Sequence, residues 1–171
     1  MNNIFLDNII KEERLCFNDD FSIVRDKYPV INGHYLLFPN HESRSLADCN
    51  IGSVMNFIDN TFSNTFVAKK YMLFERGRAN FCTSVDGVIH AHAHLFDISD
   101  EYGDIFHLPD TKFYNTLEDA LRGISPEGQY LLWGRFYQGF FVSQPIENIK
   151  KRLIRNTVGQ LKEKSRVHDF R

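Results

Sequence analysis

The chain has little cysteine, no long apolar run and almost no net charge, and each shortage narrows what it can be. Its three cysteines, Cys16, Cys49 and Cys82, are odd in number and scattered. No pair has metal-ligand spacing, which argues against a disulfide framework and leaves reduced thiols in a cytoplasmic protein as the expectation. No apolar stretch approaches the ~20 residues of a membrane span. Ile4 to Ile10 is too short and too interrupted by acid for a secretory leader. The formal charge of −2 hides an asymmetry: residues 146–171 carry eight Lys/Arg against three acids, so this end is +5 and the rest −7. A basic helix of this kind is most simply a solvated face; attraction for a phosphate-rich ligand or nucleic acid is the alternative. There is no internal repeat and no linker-like segment, so residues 1–171 read as one α+β domain.

Sixteen Phe and seven Tyr promise aromatic-rich packing. Residues 2–13 fit a short amphipathic helix, and Arg14 to Arg25 fit two strands around a turn at Asn18-Asp19-Asp20. Asn32-Gly33 is a turn signal, and the strand His34 to Phe38 stops at Pro39. Ser43 and Ser45 are helix-start candidates, and apolar residues from Leu46 to Phe62 recur with a helical period. Tyr71 to Glu75 is the next strand, followed by a loop to Gly87. Asp97 to Asp110 is acidic and irregular. Asn115 to Asp119 opens a helix. Tyr130 to Gly134 and Gly139 to Val142 form a hairpin, and Pro145 opens a basic helix over 146–162.

The most informative stretch is Val88-Ile89-His90-Ala91-His92-Ala93-His94-Leu95-Phe96. Its period of two predicts a strand, with the imidazoles in a row on one face about 7 Å apart. Ile89, Ala91, Ala93 and Leu95 then face a core. Two chemistries suit such a row. One imidazole can attack an electrophile while its neighbours stabilise developing charge. Alternatively, histidines spaced by two can bind zinc with a remote third ligand. An exposed polar strand face with satisfied histidines is the plainer reading.

His90-Ala91-His92-Ala93-His94-Leu95-Phe96 resembles the hallmark His-φ-His-φ-His-φ-φ of the histidine-triad (HIT) superfamily of nucleotidyl hydrolases and transferases. Phe21 to Val30 with Gly33 to His41 is similar to the family's strand pair ending in a Pro-x-x-His-like loop. Phe74-Glu75-Arg76-Gly77, the Ser143-Gln144…Arg152 region and Asp169-Phe170-Arg171 are loosely similar to a bacterial subgroup with a C-terminal extension. The resemblance implies a HIT-like antiparallel sheet of about five strands with flanking helices. Its core would span about 14–96, and a C-terminal hairpin and basic helix would follow over about 97–171.

By that resemblance His92 is the nucleophile toward an α-phosphorus, with its other ring nitrogen donating to a backbone carbonyl. His90 and His94 would donate to the phosphate or leaving-group oxygens, and His41 matches the family's fourth histidine. Asn80, Ser84, His34 and Gln144 are candidates for substrate binding. Many relatives carry a hydroxyl three residues before the first histidine. Here that position is Gly87, so Thr83, Ser84 or Asp86 would have to substitute. Ile23, Leu37 and Phe38 could line a base cleft, although core packing is the simpler role. Lys151 and Arg152 could add phosphate contacts, with solvated helix residues as the simpler role. Cys16 matches one cysteine of a zinc pair found in some relatives, but it has no partner nearby, so no structural zinc is expected.

The resemblance therefore implies a nucleotidyl-phosphate hydrolase, acting on dinucleoside polyphosphates or nucleoside phosphoramidates. A non-catalytic nucleotide binder, a nucleotidyltransferase and a metal protein are the alternatives. No cofactor is required, and any divalent cation is expected to arrive with the nucleotide. The partners implied are a nucleotide or dinucleotide substrate and a second copy of the chain in a homodimer, with no membrane and no nucleic acid.

Overall fold

The computed structural model describes residues 14–66, 70–78, 90–98, 105–144, 154 and 156–160. The helix expected over 2–13 and most of the one expected over 146–162 lie outside these residues. Eight antiparallel strands form one sheet in the order β1-β2-β3-β5-β4-β7-β8-β6. They are β1 (Arg14–Phe17), β2 (Phe21–Arg25), β3 (His34–Pro39), β4 (Tyr71–Gly77), β5 (Ala93–Asp97), β6 (Thr111–Tyr114), β7 (Tyr130–Arg135) and β8 (Gly139–Ser143). The α+β class is as expected, but the sheet is wider than five strands. The C-terminal hairpin is not an appendage: β7 pairs along the whole of β4, from Met72↔Arg135 to Gly77↔Tyr130, and continues the same sheet. Among the described residues no helix is long and apolar enough to cross a membrane.

Local chemistry sets the strand ends. Asn18 Oδ1 accepts from the N–H groups of Asp20 and Phe21, at 2.9 and 2.8 Å, and closes the β1–β2 turn. Gly33 adopts φ +79°, and a Cβ there would stand 2.8 Å from Asp97 Cβ. Only glycine allows β3 to begin against the end of β5. Strand β6 was not visible in the sequence because it is a four-residue edge with no fully buried position.

The helical segment after β3 starts at Leu46, where its sequence pattern places it, but its first turn is 3-10 rather than α. Ser45 caps a single 3-10 turn, Leu46–Asp48, and Asn50 caps α1 (Ile51–Phe57), accepting from Ser53 N–H. The helix then widens into a π turn, Ile58–Phe62, before a last turn at Ser63–Thr65. Helix α2 (Leu117–Gly123) starts where the sequence places it, with Thr116 accepting from Asp119 N–H. Both helices cover one face of the sheet, where Val54, Phe57, Phe62, Leu117 and Leu121 meet Ile23, Leu37, Leu73, Leu95 and Leu132. On the other face Met72, Phe74, Phe96, Leu131 and Trp133 lie under Ile31, Ile154 and Val158. Burying each of these large side chains stabilises the fold by roughly 1.5–3 kcal/mol.

Candidate active site

Strand β5 is shorter than the alternation predicts. It begins at Ala93, so of the three histidines only His94 lies within it, paired between Leu36 and Phe74. Ala91, Ala93 and Leu95 do face the core, being no more than 2 % exposed. Ile89 lies outside the described residues. The rings of His92 and His94 stand 5.3 Å apart in an edge-on arrangement.

His90 leaves the row. Its ring is buried, and its Nε2 lies 2.8 Å from the carbonyl oxygen of Pro39. A carbonyl only accepts, so Nε2 carries the proton and is committed to the end of β3. This differs from the expected role of donating to substrate oxygens. Burial lowers the pKa of His90, with neighbouring His92 and His41 acting in the same direction. The neutral ring anchors the segment, because Ala91 N–H also donates to Ser43 O at 2.8 Å.

His92 is partly exposed, and its Nδ1 lies 2.9 Å from the carbonyl oxygen of His90. Nδ1 is therefore protonated, and the lone pair of the neutral ring is on Nε2. This is the backbone contact expected of a nucleophilic imidazole. His94 is set by a different route. Val30 N–H donates to His34 Nδ1 at 3.3 Å, which puts the His34 proton on Nε2. That nitrogen stands 2.9 Å from His94 Nδ1 and 3.3 Å from Asp26 Oδ2. His94 Nδ1 therefore accepts, and its own proton is on Nε2. Phe96 stacks on both rings, 4.3 Å from His34 and 5.8 Å from His94, and limits their rotation. The result is a lone pair on His92 beside a proton on His94.

His34 is thus built into the site, buried at 2 % exposure behind His94. Asp26, which the sequence reading did not single out, supports it and also accepts from Tyr28 N–H at 2.7 Å. Its signal was the extended chain just before the Asn32-Gly33 turn, which returns Asp26 to β3: Asp26 N–H donates to His34 O at 3.1 Å. His41 is exposed in the loop after β3, its ring 6.3 Å from that of Phe21. Asn80, Ser84 and Gly87, with Thr83 and Asp86, lie outside the described residues, as do Lys151 and Arg152. Gln144 is not brought to the histidines. Its side chain accepts from Ser125 N–H and donates to the carbonyls of Ser125 and Glu127. Strand β8, which it follows, is three strands from β5, roughly 14 Å across the sheet. Ile23, Leu37 and Phe38 are fully buried core residues.

Sequence reasoning named Glu75 only as part of a motif. It is fully buried on the helix side of β4, with Oε1 2.7 Å from Leu46 N and Oε2 2.5 Å from the Tyr130 hydroxyl. Burial pushes its pKa up to about 7, against the opposing effect of these two donors. The carboxyl ties the start of the 3-10 turn to the sheet, and so fixes the loop whose Pro39 and Ser43 carbonyls hold His90 and Ala91. An acid at the core-facing position after Tyr71 and Leu73 was the available signal.

Asp26, His34 and His94 each contribute one ligand-type atom within 4.8 Å of the others. Coordination would need the Nε2 lone pair of His34, moving its proton to Nδ1 against the Val30 N–H. These groups suit a hydrogen-bonded relay better than a cation. The buried thiols of Cys16 and Cys49 are unpaired with each other, and the Cys49 pKa is raised to about 11 by burial.

No family model matches the sequence. No curated protein matches it either. Among solved structures the chain is similar to a HIT-like protein involved in cell-cycle regulation from Bartonella henselae, at 22% identity and a TM-score of 0.39. That match covers 60% of this chain and 79% of the other. The chain is also similar to a hypothetical histidine triad nucleotide-binding protein from Sulfolobus tokodaii, at 16% identity and a TM-score of 0.39, over 94% of this chain and 92% of that one.

Proposed function

We propose that the protein is a nucleotidyl-phosphate hydrolase working through His92. The observation that supports this reading best is the pair of opposed tautomers. His90 O holds the His92 proton on Nδ1, and His34 holds the His94 proton on Nε2. Nε2 of His92 attacks the α-phosphorus of a dinucleoside polyphosphate or nucleoside phosphoramidate. The N–P bond forms as the bond from phosphorus to the leaving oxygen or nitrogen breaks, and the leaving group takes that electron pair. His94 donates from Nε2 to an oxygen on which charge develops. The positive charge gained by the His92 ring strengthens its Nδ1–H bond to His90 O. Water then attacks phosphorus as the N–P bond breaks. The N–P electron pair returns to Nε2 as the lone pair of neutral His92, the water's proton passes to solvent, and a mononucleotide leaves. A nucleotidyltransferase would differ only in the acceptor at this second step. Any divalent cation enters with the nucleotide.

The test is intact-protein mass and product analysis with diadenosine polyphosphates, adenosine phosphoramidate, a nucleotide sugar and guanosine equivalents, alongside His92→Ala. Mononucleotide release, or an adduct of one nucleotidyl group, should occur with wild type and be absent in the variant. Nucleotide binding by both proteins with no reaction in either would make the chain a binder and end the hydrolase reading.

A further inference from the structure

The sheet repeats its own plan about its middle. Outward from the β4–β7 seam, one side runs β4, β5, β3 and the other runs β7, β8, β6. The connections correspond as well: β3 leads through α1 to β4 and then β5, and β6 leads through α2 to β7 and then β8. The seam is antiparallel, as a twofold axis perpendicular to the sheet requires.

The register agrees from two independent directions. Matching the first residues of β3 and β6 sets His34 on Thr111, and their partners in the neighbouring strands are Phe96 and Ser143. Matching the first residues of β4 and β7 sets Met72 on Leu131, and their partners are again Phe96 and Ser143. The axis then passes through the Phe74–Trp133 pair. Faces match too. Leu73 and Leu95 share the helix-side core with their counterparts Leu132 and Val142. Met72 and Phe74 lie in the opposite core with Leu131 and Trp133.

We infer that residues 111–143 are a shortened internal copy of the histidine-bearing half, docked where a second chain could otherwise extend the sheet, and that the protein works as a monomer. The copy carries no imidazole at the matching places: Phe141 stands for His94 and Thr111 for His34. Among the described residues each chain therefore holds one histidine site. A homodimer in which sheets join through β4 has no open edge to use, because β7 occupies it. Among the described residues the outer edges are the short strands β1 and β6, which carry Arg14 and Lys112, charges that discourage strand addition. The amino-acid repeat is absent because strand alternation and a helix's apolar stripe constrain residue class rather than identity.

This inference does not depend on the reaction proposed above. Light scattering or sedimentation equilibrium on the full chain, over a wide concentration range, should give the monomer mass of 20.0 kDa throughout. Hydrogen exchange read by mass spectrometry on the same samples should show β4 and β7 amides among the slowest, with rates unchanged on dilution. Replacing Leu15 and Phe113, exposed residues of β1 and β6, by lysine should leave the mass unchanged. A doubled mass overturns the inference. A monomer whose β4 amides exchange as fast as those of β1 and β6 overturns it as well, since the copy would then not be docked.

Discussion

Nε2 of His34 stands 2.9 Å from Nδ1 of His94, and the Val30 N–H on the far side of the His34 ring decides which nitrogen holds the proton. His34 therefore acts through His94 as a positioning residue. In His34→Asn the short amide cannot span the same gap, and His94 can turn or change tautomer. On the proposed chemistry, kcat should fall by roughly tenfold to a thousandfold, as for loss of one aligned donor, with KM changed much less. Steady-state kinetics of a variant with unaltered thermal stability checks this. A parallel rise in KM with kcat unchanged would assign His34 to substrate binding instead.

The ring protons can be observed without any substrate. Long-range nitrogen–proton NMR spectra of imidazole-labelled protein, recorded where the rings are neutral, should give His92 as the Nδ1–H form and His34, His90 and His94 as Nε2–H forms. An Nε2–H form for His92 would remove its nucleophilic lone pair from the side assigned here.

Glu75 makes stability depend on pH. Its folded pKa of about 7 lies above the ordinary 4.5, so the folded protein holds a proton that the unfolded chain releases. Its contribution is fully present below about pH 4.5 and is lost as pH rises through about 7, amounting to about 3 kcal/mol. Glu75→Gln keeps the shape without the titration. Urea melts at about pH 5 and about pH 8 should show the variant gaining stability relative to wild type at the higher pH. An equal difference at both values would mean that Glu75 does not titrate in this range.

Gly33 is held by both conformation and space. In Gly33→Ala the φ of +79° and the 2.8 Å approach to Asp97 Cβ add together, and the loss should be on the order of 2–4 kcal/mol. A denaturation midpoint within error of wild type would show that the turn relaxes.

Zinc should add nothing to the fold. With His34 Nε2 donating to His94 Nδ1 and lying 3.3 Å from Asp26 Oδ2, chelation should leave the melting temperature unchanged, and purified protein should carry no stoichiometric metal. One tightly held zinc per chain, with a lower melting temperature after chelation, would reverse the tautomer assignment at His34.

The sequence displayed the local patterns well. Asn32-Gly33 before His34, Thr116 ahead of Leu117 and the alternation through Ala91, Ala93 and Leu95 are each written in neighbouring residues. It displayed poorly whatever depends on distant segments. His90 left the expected row because Pro39, fifty-one residues earlier, offers a carbonyl. The sheet outgrew five strands because the edge of β4 is closed by β7, and nothing within Tyr71–Gly77 announces that partner. Gln144 looked available until its amide met the turn at Ser125 and Glu127.

Ile154 and Val158 share one apolar cluster with Ile31, far away in the sequence. The neighbouring Val30 N–H sets the His34 proton. The electronic state of the histidine pair therefore leans on a helical segment that bonds to neither ring. Damage to that distant packing would be felt first as lost tautomer order at His94, before the sheet itself gives way.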